Sequence, residues 1–159
     1  MRIFVLSCLI GILFSACDQS RVYEQNTDFT NRYWVVNETP EFEFTIDQPA
    51  DTYTVYGNIR NSVSYPYARI FFTYYLQDST GAEMEKKLVS QYLFDAKTGK
   101  PFGNSGLGDI YDHQFELLKN YEFKHRGRYK VKFEQHMRVD TLQGILAVGL
   151  RVENSSLPE

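Results

Sequence analysis

The chain has 159 residues, 16% of them aromatic, and a formal net charge of −3 at pH 7. A domain of that size buries roughly two-thirds of its unfolded surface, and a mildly acidic chain without a basic block excludes a nucleic-acid partner, whose binding rests on neutralising phosphates. Both cysteines, Cys8 and Cys17, fall in the first seventeen residues, so the rest of the chain can form no disulfide, Cys nucleophile or thiolate metal site.

Met1 and Arg2 form a short basic start, and Ile3 to Phe14 is an apolar run broken only by Ser7, Cys8 and Gly11. That order of charge, apolar run and small residues is a secretory leader. It is shorter than the roughly 20 apolar residues of a transmembrane helix. Ser15-Ala16-Cys17 closes it in the bacterial lipobox pattern, with Phe14 where Leu is usual and Leu13 one place earlier. The expected maturation removes residues 1–16 and lipidates Cys17 as the new N-terminus, leaving 143 residues. The plainer alternative is an ordinary secretory signal followed by a free Cys. No cofactor is expected beyond the covalent lipid on Cys17.

Residues 17–39 read as a lipidated N-terminus and tether. If flexible, Asp18 to Thr39 would reach about 25 Å from the anchor. Its aromatics, Tyr23, Phe29, Tyr33 and Trp34, suggest that part of it docks on the domain. Trp34, the only Trp, is either a core plug, the favoured reading, or an exposed contact for a partner or the bilayer interface.

From Pro40 the apolar period becomes two, the strand signature. Phe42, Phe44 and Ile46 alternate inward, and Asp47-Gln48-Pro49 is a turn. A second strand covers Thr52 to Asn61, with Tyr53, Val55 and Ile59 on one face. A third, Tyr67 to Gln77, is aromatic and β-branched on both faces, as a central or doubly covered strand would be. Met84 to Phe94 pairs with it as a hairpin across Asp78-Ser79-Thr80-Gly81. Residues 95–109 form the main loop. Residues 112–123 fit a strand or a short helix, with strand favoured by context. Gly127 opens a strand that turns Tyr129, Val131, Phe133, Gln135 and Met137 inward. The last strand turns Leu146, Val148, Leu150 and Val152 inward. Residues 40–153 are therefore expected to be an all-β domain, an antiparallel β-sandwich of jelly-roll or immunoglobulin-like type with about seven to eight strands. Residues 154–159 read as a frayed tail.

Few constellations carry chemistry. Gly103, Gly106 and Gly108 lack the strand–helix context and the Gly-Lys-Ser/Thr of a phosphate loop, so a conformationally demanding loop is the better reading. Asp109, Asp112 and His113 are weak candidates for a metal site, calcium before zinc. No nucleophile elbow or metalloprotease motif occurs, so no catalytic residue is assigned and an enzyme is not expected. Tyr65-Pro66-Tyr67 lies at a loop, where Tyr65 and Tyr67 are better placed for a partner than the strand tyrosines.

A set of short stretches runs in order over nearly the whole chain: Ala16-Cys17-Asp18, Arg21-Val22-Tyr23-Glu24, the lone Trp34, and Asn58-Ile59-Arg60-Asn61 followed by Tyr65-Pro66-Tyr67. It continues with Gly106-Leu107-Gly108-Asp109-Ile110-Tyr111, Gln135-His136-Met137-Arg138, Leu142-Gln143-Gly144-Ile145 and Val148-Gly149-Leu150-Arg151-Val152-Glu153. This order resembles the gliding motility lipoprotein GldH family of Bacteroidetes. The resemblance implies a non-enzymatic cell-envelope lipoprotein that supports gliding motility, type IX protein secretion or both through contacts with other envelope proteins of that machinery. Trp34, Arg60, Tyr65, Tyr67, Asp109, His136 and Arg138 are then the partner-contact candidates. Arg60 is expected to pair with Asp109, and Arg138 and Arg151 with Glu153 or Asp112. Attachment would be to the cell membrane or outer membrane. The facing expected is periplasmic, since no acidic run of the kind that marks surface export in this phylum follows Cys17. A carbohydrate-binding sandwich, with calcium near Asp109, is the alternative.

Overall fold

The computed structural model describes residues 18–106 and 108–157. The leader and Cys17 lie outside them. The described strands are β1 (Arg21–Asp28), β2 (Tyr33–Val35), β3 (Glu41–Ile46), β4 (Thr52–Ser62), β5 (Arg69–Asp78), β6 (Glu83–Tyr92), β7 (Asn104–Ser105), β8 (Ile110–Glu122), β9 (Gly127–Gln135), β10 (Thr141–Gln143) and β11 (Ile145–Asn154). They pair antiparallel into a five-stranded sheet, order β1-β11-β4-β8-β7, and a four-stranded sheet, order β3-β9-β5-β6, with a small β10-β2 ribbon. The expected all-β sandwich is what forms, and no helix occurs among the described residues.

The core follows from alternation. β3 buries Phe42, Phe44 and Ile46 while Glu41, Glu43 and Thr45 stay exposed. Tyr129, Val131 and Phe133 of β9 and Ile70, Phe72, Tyr74 and Leu76 of β5 continue that apolar layer. Tyr53, Val55 and Ile59 of β4 and Val148, Leu150 and Val152 of β11 close it from the five-stranded sheet in one cluster. Phe123 ties the layers together, with ring centroids 4.6 Å from Tyr129 and 5.5 Å from Tyr53. Each such pair adds about 0.5–1.5 kcal/mol beyond its buried area.

Register sorts the loops into two ends. Arg21, Thr52, Asp78, Glu122 and Gly127 mark one end. The connections 63–68, 93–103 and 136–144 lie at the other.

The sequence misplaced the domain boundary. Residues 21–28 are not tether: β1 pairs with β11 from Arg21↔Glu153 to Asp28↔Ala147. The folded domain therefore takes in β1 and does not begin at Pro40. β1 lacks apolar alternation because it is an edge strand whose pairing is supplied by β11. The anchoring is also polar. Arg151, its side chain 16% exposed, reaches Asp18 at 2.5 Å, Glu24 at 2.8 Å and Glu153 at 2.5 Å. Gly149 leaves the space that Asn26 occupies: a Cβ there would sit 1.8 Å from Asn26 Oδ1.

Trp34 is wholly buried, so it is the core plug and not a partner contact. It stacks on Phe29 at 5.8 Å and donates its indole N–H to the Glu38 carbonyl at 2.7 Å. The tail is also tied down as far as it is described. Asn154 donates to Asp51 at 2.7 Å, and the Ser155 amide donates to the Thr52 carbonyl at 2.8 Å.

Candidate functional site

The inward phase of β5 leaves Phe71, Thr73 and Tyr75 on the outer face of the four-stranded sheet. Beside them the β9–β10 connection presents His136, Met137 and Arg138. A buried amide holds that turn: Gln135 Nε2 donates to the Val139 carbonyl at 3.0 Å, and its Oε1 accepts from the Met137 amide at 2.9 Å. The His136 amide continues the ladder to the Phe71 carbonyl at 2.9 Å. Met137 Sδ accepts from the Phe71 amide at 3.4 Å.

Tyr67, Phe71, His136, Met137 and Arg138 line a depression of about 440 Å³. A second, of about 450 Å³, shares Phe71 and His136 and extends past Thr73, Tyr75, Lys86 and Leu88. Tyr67, His136 and Arg138, three of the contact candidates, therefore meet on one surface. Phe71, Met137, Lys86 and Leu88 complete it. The signal for Phe71 and Leu88 was a large apolar side chain on the solvent phase of its strand.

Tyr65 is not a contact. It is 5% exposed and donates its hydroxyl to the Arg69 carbonyl at 3.0 Å. Its ring meets Tyr67 edge-on at 5.7 Å and stacks on Phe94 at 6.4 Å, so it supports Tyr67 from within. Burial raises the Tyr65 hydroxyl well above the usual phenol range. Gly144 makes that seat available: its φ is 80°, and a Cβ would fall 2.8 Å from the Tyr65 Cα.

The groove is ringed by cations lying on aromatic faces. The Arg69 guanidinium is 3.8 Å from the Tyr92 ring centroid and 5.6 Å from that of Phe71. Lys86 and Lys132 lie 4.9 and 4.7 Å from the Tyr75 ring. The Tyr75 hydroxyl donates to Glu134 at 2.6 Å. That bond, with burial, pushes the Tyr75 pKa up to about 12, and the same bond holds the Glu134 carboxyl below its usual range against the opposing effect of burial.

The remaining candidates lie elsewhere. Arg60 pairs with Asp112, not Asp109: Nε reaches Oδ1 at 2.7 Å, because the two residues are register partners on β4 and β8. Arg151 pairs with Glu153 as expected, and Asp18 and Glu24 join them. Asp109 is exposed, and its carbonyl accepts from the Val63 amide at 2.8 Å. Asp109, Asp112 and His113 do not converge. Asp112 is held by Arg60, whereas His113 is buried beneath Gly103, where a Cβ would meet its Nε2 at 2.7 Å. That Nε2 has no hydrogen-bond partner among the described residues, and burial lowers the imidazole pKa against the opposing pull of Asp112. Among the described residues no three His, Cys, Asp or Glu side chains gather as a metal group.

The family described as GldH lipoprotein matches residues 21–152. The chain is 30% identical over 151 residues to a gliding motility lipoprotein GldH homolog of Christiangramia forsetii, covering 91% of this chain and 90% of that protein. It is 26% identical over 152 residues to the gliding motility lipoprotein GldH of Flavobacterium johnsoniae, covering 91% and 92%. Among solved structures, that of infectious bursal disease virus Gx strain is similar with a TM-score of 0.46 at 17% identity, over 86% of this chain and 33% of that one. That likeness is too loose to bear on function.

Proposed function

We propose, from the premise that this chain belongs to the GldH lipoprotein family, that it is a non-enzymatic cell-envelope lipoprotein supporting gliding motility and type IX secretion. Lipid on Cys17 holds it to the cell membrane or outer membrane, facing the periplasm. It acts by protein contacts on the outer face of the four-stranded sheet. The observation that carries this reading is likeness to gliding motility lipoproteins over about nine-tenths of both chains. The convergence of Tyr67, His136 and Arg138 supports the choice of surface.

Two or more acyl chains anchor stably where one does not, at about 0.8 kcal/mol per buried CH₂. The test is complementation of a deletion strain. Wild type restores gliding and adhesin secretion, whereas Cys17→Ala leaves an unprocessed or soluble chain and restores neither. Gliding restored by a soluble Cys17→Ala chain would overturn the anchored reading. Protease resistance on intact cells, lost on permeabilisation, is the result expected for periplasmic facing.

A second reading is a saccharide on the outer face of the five-stranded sheet. A depression of about 270 Å³ there is lined by Asn26, Asn58, Arg60, Asp112 and Gln114 among others, amide and charged groups suited to hydroxyls. Calorimetric titration with envelope glycans decides it.

A further inference from the structure

We infer that the groove on the outer face of the four-stranded sheet takes an extended, acidic and apolar segment of a partner polypeptide. The inference rests on the protein-contact reading above and names the chemistry of that contact.

The shape comes first. The two depressions meet at Phe71 and His136, so the floor runs along β5 from Tyr67 towards Tyr75. Residues 71–75 cover about 13 Å of strand. An extended chain laid along them would place alternate side chains on the floor. The floor carries large apolar side chains in water: Leu88 is 57% exposed and Tyr67 39%. Large apolar side chains left in water along one channel mark a contact surface.

Charge then selects the occupant. Arg69, Lys86, Lys132 and Arg138 rim the groove in a chain of net charge −3. Glu134, a carboxylate among them, already accepts from Tyr75. Further along β9, Lys130 and Arg128 are met by Glu41 and Glu43 at 2.9 and 3.0 Å. Arg69, Lys86 and Lys132 are held against rings instead, and this limits the side-chain freedom they lose when a carboxylate arrives.

An anionic membrane surface would also be attracted to such cations. The position of the groove favours a polypeptide. The groove runs from Tyr67 and Arg138, at the end opposite Asp18, towards Tyr75, so a flat bilayer lying against the Asp18 end would leave its Arg138 half uncovered, whereas an extended polypeptide along β5 covers both halves.

The test uses the mature lipidated chain in phosphatidylcholine nanodiscs, with empty nanodiscs as the baseline. A dye-labelled decapeptide alternating Glu and Leu is titrated by fluorescence anisotropy beside its Lys/Leu counterpart. Saturable binding of the acidic peptide alone is expected, weakened about tenfold or more by Lys86→Glu with Arg138→Glu. Arg126→Glu, at the opposite end, is expected to leave it unchanged. All three residues are exposed, and an unaltered melting curve checks the fold. Equal binding of the Lys/Leu peptide, absence of saturable binding, or indifference to the double charge reversal would overturn the inference. So would binding of phosphatidylglycerol vesicles, but not of the acidic peptide, through the same residues. A soluble Cys17→Ala chain that still supports gliding would sink the anchored reading without touching this titration.

Discussion

Arg151 Nη2 lies 2.5 Å from Asp18 Oδ2 across 133 residues of sequence. One guanidinium on a central strand thereby holds the first described residue of the chain. Burial opposes its charge, but hydrogen bonds to Glu153 and Asp18 outweigh that and raise its pKa overall. Arg151→Ala would take from Glu153 its guanidinium partner and leave Asp18 and Glu24 with the exposed Arg21, 4.0 and 3.1 Å away. The carboxylates it meets are up to about a third exposed, so losing the guanidinium costs about 1–2 kcal/mol. The expected loss in melting temperature is about 3–8 °C for a domain of this size. A shift under about 1 °C would mean that the cluster is solvated and holds nothing.

Gly149→Ala tests the same attachment through packing. The new methyl group would collide with Asn26 and lie 2.8 Å from the Gln25 carbonyl oxygen. The expected outcome is loss of amide-exchange protection in β1, with protection in β5 and β9 retained. Unchanged protection in β1 would show that the strand gives way easily at that point.

Trp34 should report a dry environment. Its fluorescence is expected to resist iodide quenching until the protein unfolds. Trp34→Ala removes a fully buried ring and orphans the Glu38 carbonyl, at a cost of about 3–5 kcal/mol. Ready quenching in the native state would contradict the buried position.

Acid should destabilise the fold in two steps. His113 is held below the ordinary imidazole value of about 6.5, first by burial. The unfolded chain therefore takes up that proton more readily, and the associated stability is present above pH 6.5 and lost as pH falls below it. Asp18, held down by Ser20 and then Arg151, and Glu134, held down first by Tyr75, have lowered values from 3.8 and 4.5. Their contribution is present above those values and lost only on further acidification. His113→Gln should abolish the first step in urea midpoints measured between pH 7.5 and 5.5, and leave the second. On the alkaline side, Tyr74 and Tyr75 have pKa values raised to about 12 in the fold. Their contribution is present below pH 10 and lost as pH rises through 12.

The well-patterned strands were legible from the sequence. β3 and β9 alternate so strictly that the inward Phe42, Phe44 and Ile46, and Tyr129, Val131 and Phe133, follow from period two. β1 was not, because Arg21 to Asp28 carries no apolar stripe and is a strand only through Arg151, Gly149 and the edge of β11. Loop position misled for Tyr65, whose ring fills a pocket shaped by the distant Gly144. The site was half legible. Tyr67, His136 and Arg138 stood out as residues, but the pleat of β5 and β6 decides that Phe71 and Leu88 join them. Asp109 lost its partner to Asp112 because register, not proximity in sequence, fixes which carboxylate Arg60 meets.

The clamp on Asp18 has a mechanical consequence. Adjacent Cα atoms are about 3.8 Å apart, so an acyl-bearing Cys17 would sit one peptide unit from the clamped residue, with almost no slack. A load applied at the far loops and resisted at the lipid would run along the strands, not across them. β1 and β11 would then slide past each other, and every hydrogen bond of their ladder, perpendicular to the pull, would share the force at once. That is shear loading, which resists better than peeling bonds apart one by one, and it would make this protein a stiff strut in whatever assembly it joins.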